Sequence, residues 1–380
     1  MRLKTFATAV ATVALAVSSS FGAQPTDPTT AALFAGGTLT FGGYATVAGG
    51  TTIANGNVTH AGGGLQTDAM YGGGSFTYTG GAGNSQANGD WYFNGSISNF
   101  GGPGSVFKGN MTSAQGSVLV RETTSTAITG NVTAAGDFYQ PFSFATVGGN
   151  VLAGGNVTVN GSVSGNVTYG GTYTQGTFGS VGGPVTHGGT VSPAAFTPLT
   201  LPAGSNLTAG SNNVTLANFE NRALTPGTYG TLAFASSNTV SLTAGTYVFA
   251  GITNSFSLNQ LSFDTSAGPI KVYVAGNLDF NLVQVINGQA LFAGGNPNPA
   301  DAAKITLEVA GSYTGNADLY GTLFAPNGGV TLNTFADVTG RVLAGGNVNL
   351  VGSNVVAVPE PTTFAALTLV GGLMLRRRRV

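Results

Sequence analysis

Two histidines, thirteen acidic and twelve basic residues carry most of the acid–base chemistry open to this chain of 380 residues. The histidines, His60 and His187, stand far apart, each in a Gly/Thr-rich stretch, and both read as surface turn residues. With no cysteine in the chain, thiol nucleophiles and zinc–thiolate sites are excluded. The acids are scattered singly. Neither an Asp-x-Asp-x-Asp calcium loop nor the Gly-Gly-x-Gly-x-Asp calcium repeat occurs. A glycosidase needs two carboxylates about 5–10 Å apart across a groove. The nearest candidates in sequence are Asp264 with Asp279 and Glu308 with Asp318, and they read as solvated or edge-protecting charges. No Gly-rich string is followed by Lys-Ser/Thr or by a helix, so no phosphate loop is present. The expectation is a protein with no catalytic, cofactor-binding or metal-ligating residue, and not an enzyme.

Binding is a different matter. Thr77-Tyr78-Thr79 and Thr172-Tyr173-Thr174 place two hydroxyls on one face of a strand. Stacked in a repeating sheet, such faces suit ice or carbohydrate, although the pairs do not recur at a regular interval. Tyr71, Tyr78, Trp91 and Tyr92 offer flat rings for a sugar, or simply pack on a β surface.

The elements that position these groups are strands. Short runs such as Gly155-Asn156-Val157-Thr158-Val159, Ile270-Lys271-Val272-Tyr273-Val274 and Ile305-Thr306-Leu307-Glu308-Val309 alternate apolar with polar residues. Gly-Gly, Gly-Asn or Asn-Gly bounds each run and marks a turn. Glycine interrupts every window of helix length.

The runs also repeat. Val151-Leu152-Ala153-Gly154-Gly155-Asn156-Val157 recurs as Val342-Leu343-Ala344-Gly345-Gly346-Asn347-Val348, and Gly-Asn-Val recurs at 130–132, 149–151 and 165–167. Gly227-Thr228-Tyr229 returns as Gly245-Thr246-Tyr247. Spacings of roughly 18 to 20 residues match one coil of a β-solenoid. Gly and Asn suit its corners because they tolerate positive φ. A β-sandwich would also show short strands between turns, but it has no need of near-identical ones. The fold expected is therefore all-β, a parallel β-helix-like solenoid. Pro193, Pro198 and Pro202 suggest a boundary between a Gly-rich region, 24–192, and a more regular one, 203–356. Two domains and one interrupted solenoid both remain open at this point.

Composition agrees with a sparsely charged β stack. Charged residues are 7% of the chain against about 25% in ordinary domains, yet 42% are hydrophobic, which is not the signature of disorder. Residues 24–357 hold six basic and twelve acidic side chains, a net charge of about −6. That leaves no basic patch for nucleic acid and no polybasic stripe for anionic lipid.

Both ends carry addresses. Residues 1–23 read as a secretory signal peptide: Arg2 and Lys4, an apolar run from Phe6 to Val17, then small residues for cleavage. At the other end Pro359-Glu360-Pro361 leads into the apolar segment Thr362 to Leu375, closed by Arg376, Arg377, Arg378 and Arg379. Fourteen residues at about 1.5 Å each span roughly 21 Å, short of a hydrocarbon core of about 30 Å. The arginines favour the cytoplasmic side.

This tail, residues 357–380, resembles the PEP-CTERM sorting signal of bacterial surface proteins, a region also labelled an ice-binding protein C-terminal domain. The body is similar, in composition, to Gly/Asn/Val-rich exported solenoids. The resemblance implies a signal helix, a short transmembrane helix, and recognition by an exosortase-type membrane protease. It also implies transient anchoring in the inner membrane, a final place at the cell surface or outside the cell, and association with exopolysaccharide or biofilm. The function expected is thus a structural or adhesive surface protein with polysaccharide as a partner. A binding module for ice or a glycan is the alternative, which a regular threonine ladder on one flat face would favour. A carbohydrate-active enzyme ranks last.

Overall fold

The computed structural model describes residues 23–79, 84–98, 104–120, 125–188, 190–254, 258–291, 297–334 and 336–358. The signal segment before Ala23 and the sorting residues Pro359, Glu360, Pro361 and Arg376 to Arg379 lie outside the described residues. Among the described residues no helix is long and apolar enough to cross a membrane.

The body is an all-β parallel solenoid of about 15 turns with almost no helix. A typical coil is three short strands, as in Val132–Ala134, Phe138–Gln140 and Ala145–Val147. Each strand lies parallel to its equivalent in the next coil, so Val132 pairs with Val151 and Phe138 with Val157. The only antiparallel pairing described is the small hairpin joining Val283–Ile286 to Gln289–Ala290. Inward positions are Val, Phe, Leu, Ile and Ala, and they form one continuous core along the stack. Pairing between coils, and not a second sheet, buries the backbone; this rules out the sandwich.

The Gly-Asn-Val repeat has a specific structural cause. Each Asn sits at a corner, and, except at Asn166, where the equivalent residue is Pro184, its side-chain oxygen accepts the backbone N–H of the equivalent residue one coil on. Asp90 receives Asn110 at 2.7 Å, Asn110 receives Asn131 at 3.0 Å, and Asn131 receives Asn150 at 2.8 Å. Asn150 then receives Asn166, also at 2.8 Å. A second corner runs the same way through Asn57, Ser75, Ser96, Ser117, Asp137 and Asn156. The following Val turns inward and starts the strand. The preceding Gly is needed for close approach: a Cβ on Gly149 would lie 2.5 Å from the Asn131 Oδ1. Positive φ, expected at these corners, is not the reason. Neither these glycines nor these asparagines adopt it.

Coil order in space differs from order in sequence. The strand Leu33–Ala35 stacks in register on Val338–Ala344, with Leu33 opposite Val342 and Ala35 opposite Ala344. Leu39–Gly42 lies on Val348–Val351, and Thr46 to Ala48 lie on Asn354–Val356. The coils of the second half therefore precede those of the first, and the described ends of the body meet inside the stack. Ala357 donates its N–H to Ala48 at 2.8 Å there.

Residues 190–213 bring the chain back from one end of the stack to the other as an extended strap. Its prolines keep it from joining the sheet. It lies over an outward apolar stripe, Phe34, Ile53, Tyr71, Tyr92 and Leu343, into which Phe196 and Leu201 pack. Asn94 clasps Phe196 through both backbone groups, at 2.6 and 2.8 Å, and Asn55 clasps Leu199 in the same way, at 2.9 and 2.6 Å. Further on, Ser205 meets Glu308 and Lys271.

Candidate ligand-binding face

The acids named as candidate pairs, Asp264 with Asp279 and Glu308 with Asp318, each serve a separate structural contact. Asp264 caps its own turn by accepting Ser266 N–H, and Asp279 bonds the Asn316 amide at 2.8 Å. Glu308 is neither solvated nor at an edge. It is buried under the strap, with Lys271 at 2.6 Å and the Ser205 hydroxyl at 2.8 Å. Its role there is to satisfy the strap. Asp318 lies at a corner one coil from Asp337, whose N–H it accepts at 3.0 Å. Burial pushes the Asp318 carboxyl above its ordinary range; the Asp337 N–H opposes this and the Asp337 charge adds to it. Among the described residues no group of three or more His, Cys, Asp or Glu is placed to hold a metal.

His60 is not a turn residue. It occupies the inward end of the strand Val58–His60, 1% exposed, between Phe41 and Tyr78. Its Nε2 meets the Gly43 carbonyl at 3.2 Å. Burial lowers its pKa, so the ring is neutral and donates that bond. The reading failed because a Gly-rich sequence surrounds a buried position. His187, on the last coil, is exposed, beside Tyr169.

What the fold does bring together is one continuous face. It is a sheet of 12 parallel strands running from Leu278–Phe280 to Tyr173–Gln175. In each three-residue strand the outer residues point into the core and the middle one points out. The outward row is set by pairing. It begins at Asp279, opposite Thr314; Thr314 lies opposite Thr331, then Asn349, then Thr40. Thr40 lies opposite Thr59, then Thr77, then Ser98. Leu119 and Tyr139 follow, and Thr158 and Thr174 complete the row. All are half-buried or exposed. Parallel strands lie about 4.7–4.9 Å apart, so from Thr314 to Ser98 the row presents a hydroxyl or amide at that interval.

The row crosses the join between the two halves without a break. It does interrupt itself at Leu119 and Tyr139. There the surface sinks into a depression of about 300 Å³, lined by these two residues with Ser117, Asp137, Phe138, Asn156 and Thr158.

Thr77 and Thr174, singled out in the sequence, both belong to this row. Their expected partners two residues along the strand do not build it. The row runs across coils, at offsets that vary, as the neighbouring corner bonds do, from 16 to 21 residues. Of the aromatic candidates, Tyr78 and Trp91 are core residues, and Tyr71 and Tyr92 lie under the strap. Tyr139, which the sequence reading passed over, is the aromatic exposed on this face. Knowing the pairing register would have found it.

No family model matches the chain, and no curated protein does. Among solved structures, the chain is similar to an ice binding protein from an Antarctic bacterium, Flavobacteriaceae. That match has 14% identity over 87% of this chain and 97% of that one, with a TM-score of 0.25. A possible adhesin C-terminal domain from Caldicellulosiruptor kronotskyensis gives 11% identity over 91% and 97%, also with a TM-score of 0.25. Likeness at this level carries no argument about what this chain binds.

Proposed function

We propose that this protein is an exported surface or extracellular-matrix component that adheres to polysaccharide through the threonine face. The observation that carries the reading is the row of hydroxyls and amides from Thr314 to Ser98, seven coils long and unbroken across the join. An extended polymer laid along the stack axis meets a donor or acceptor at every coil. Many weak, repeated contacts give avidity without a deep pocket. The low charge of the body suits contact with an uncharged polymer.

Export by the N-terminal signal and sorting by an exosortase-type membrane protease at Pro359-Glu360-Pro361 complete the proposal, with transient anchoring through the C-terminal segment. Association with exopolysaccharide or biofilm follows from the same reading. The regularity of the seven-coil stretch also favours a second reading, an ice surface as the repetitive ligand. Affinity electrophoresis in gels containing soluble polysaccharides tests the first, and partition into a growing ice front tests the second. Retardation that is lost in Thr59→Val/Thr77→Val supports polysaccharide. Retention in ice with no retardation in any gel would replace it by ice.

A further inference from the structure

The interruption of the hydroxyl row is built differently from the rest of the face, and its chemistry is asymmetric. Leu119 and Tyr139 replace two hydroxyl positions, and Tyr139 is 39% exposed. An apolar floor beside an exposed phenol matches the C–H face of a pyranose ring with its polar rim.

The rim of the depression is partly committed. Ser117 Oγ accepts the Asp137 N–H at 2.9 Å, and Asp137 Oδ1 accepts the Asn156 N–H at 2.6 Å. Asn156 Oδ1 accepts Thr172 N–H and hydroxyl, at 2.9 and 2.8 Å. These corner bonds use one oxygen of each side chain. They leave Asp137 Oδ2 as an acceptor and the Asn156 amide NH₂ as a donor on the rim.

Asp137 is also the anomaly in its own series. The corner positions around it are Asn57, Ser75, Ser96, Ser117 and Asn156, all neutral. A neutral amide accepts the next N–H equally well, as Asn110 and Asn131 do at the other corner. The negative charge is therefore not required by the ladder.

We propose that the Leu119–Tyr139 depression is a sugar-ring subsite in which Asp137 selects neutral or amino-bearing glycans and rejects polyuronates. This rests on the polysaccharide reading of the whole face. Tyr139 carries the ring, Asn156 donates to a hydroxyl, and Asp137 accepts from a hydroxyl or pairs with an ammonium. A uronate carboxylate at this place meets Asp137 and a body of net charge about −6 for residues 24–357.

The test uses affinity electrophoresis of the mature chain in three probes: hydroxyethylcellulose, chitosan and polygalacturonate. Wild type is expected to be retarded by the first two and not by the third. Tyr139→Ala is expected to lose about tenfold in affinity for the neutral probe. Asp137→Asn keeps the corner bond and is expected to retain neutral binding, weaken chitosan binding about tenfold and gain polygalacturonate binding. Unchanged melting temperatures show that both variants are folded. If wild type binds a neutral probe and loses it in Thr59→Val/Thr77→Val, while Tyr139→Ala and Asp137→Asn change nothing, the subsite is overturned and the face stands. If wild type binds none of the probes, both fall.

Discussion

Thr38 donates its backbone N–H to the Asn347 side chain at 2.9 Å, across 309 residues of chain. This bond is the same corner step that links neighbouring coils elsewhere, made here between coils that the chain does not connect. The join is thus built like any other coil interface. Asn347→Ala is expected to cost about 0.5–1.5 kcal/mol, the usual net worth of one hydrogen bond. Asn150→Ala, in the interior of a continuous run and likewise accepting one corner N–H, is expected to cost the same within error, as measured by chemical denaturation. A much larger loss at Asn347 would mean that the join is a weak point.

The strap is held by burial more than by its polar clasps. Phe196 is 1% exposed, packed against Tyr71 at a ring distance of 6.2 Å. Phe196→Ala is expected to destabilise by about 3–5 kcal/mol, the range for deleting a buried aromatic. Limited proteolysis should then cut within residues 190–213 sooner than in wild type. Cleavage first at another site would show that the strap does not depend on Phe196.

His60 makes stability depend on mild acid. Its folded pKa is lowered by burial, so the unfolded chain binds a proton more readily. The His60 contribution is fully present above the unfolded value of about 6.5 and is lost as pH falls through the lower folded value. The melting temperature should decline between pH 7 and pH 5, above the range in which carboxylates protonate. His60→Phe, which keeps the contacts with Phe41 and Tyr78, should flatten that decline. An identical slope in the variant would assign the effect elsewhere.

Asp318 works in the opposite sense. Its raised folded pKa means that the charged form is penalised, so this group favours the folded state below the unfolded value and opposes it as pH rises through the folded one. Asp318→Asn can still accept the Asp337 N–H and removes one of two adjacent charges. Its melting temperature should exceed wild type at pH 7 and match it near pH 3. A lower melting temperature at pH 7 would contradict this account of the corner.

The solenoid was legible because Val151 to Val157 and Val342 to Val348 are the same heptapeptide, and identical strands ask for stacking. What the sequence could not disclose was which coils are neighbours. Leu33 and Val342 pair although they stand at opposite ends of the chain, and no local period encodes that. The irregular coil length hid the threonine row for the same reason. Thr59, Thr77 and Ser98 are equivalent only once the register is known. His60 and Glu308 were misread because burial in a solenoid depends on which way a strand residue points, and a Gly-rich flank does not reveal this. Positive φ does explain corner glycines such as Gly43, Gly49 and Gly352, but not those of the Gly-Asn-Val corners. Gly149 is there to let an Asn side chain pass, not to take a left-handed turn.

The central claim is that the threonine face binds polysaccharide, and affinity electrophoresis of Thr59→Val/Thr77→Val tests it most directly. Valine keeps the shape and strand preference and removes two hydroxyls from adjacent coils. At about 0.5–1.5 kcal/mol for each lost hydrogen bond, affinity should fall roughly tenfold. Thr146→Val, on an outward position of another face, should bind as wild type does. Equal retardation of wild type and both variants would contradict the account.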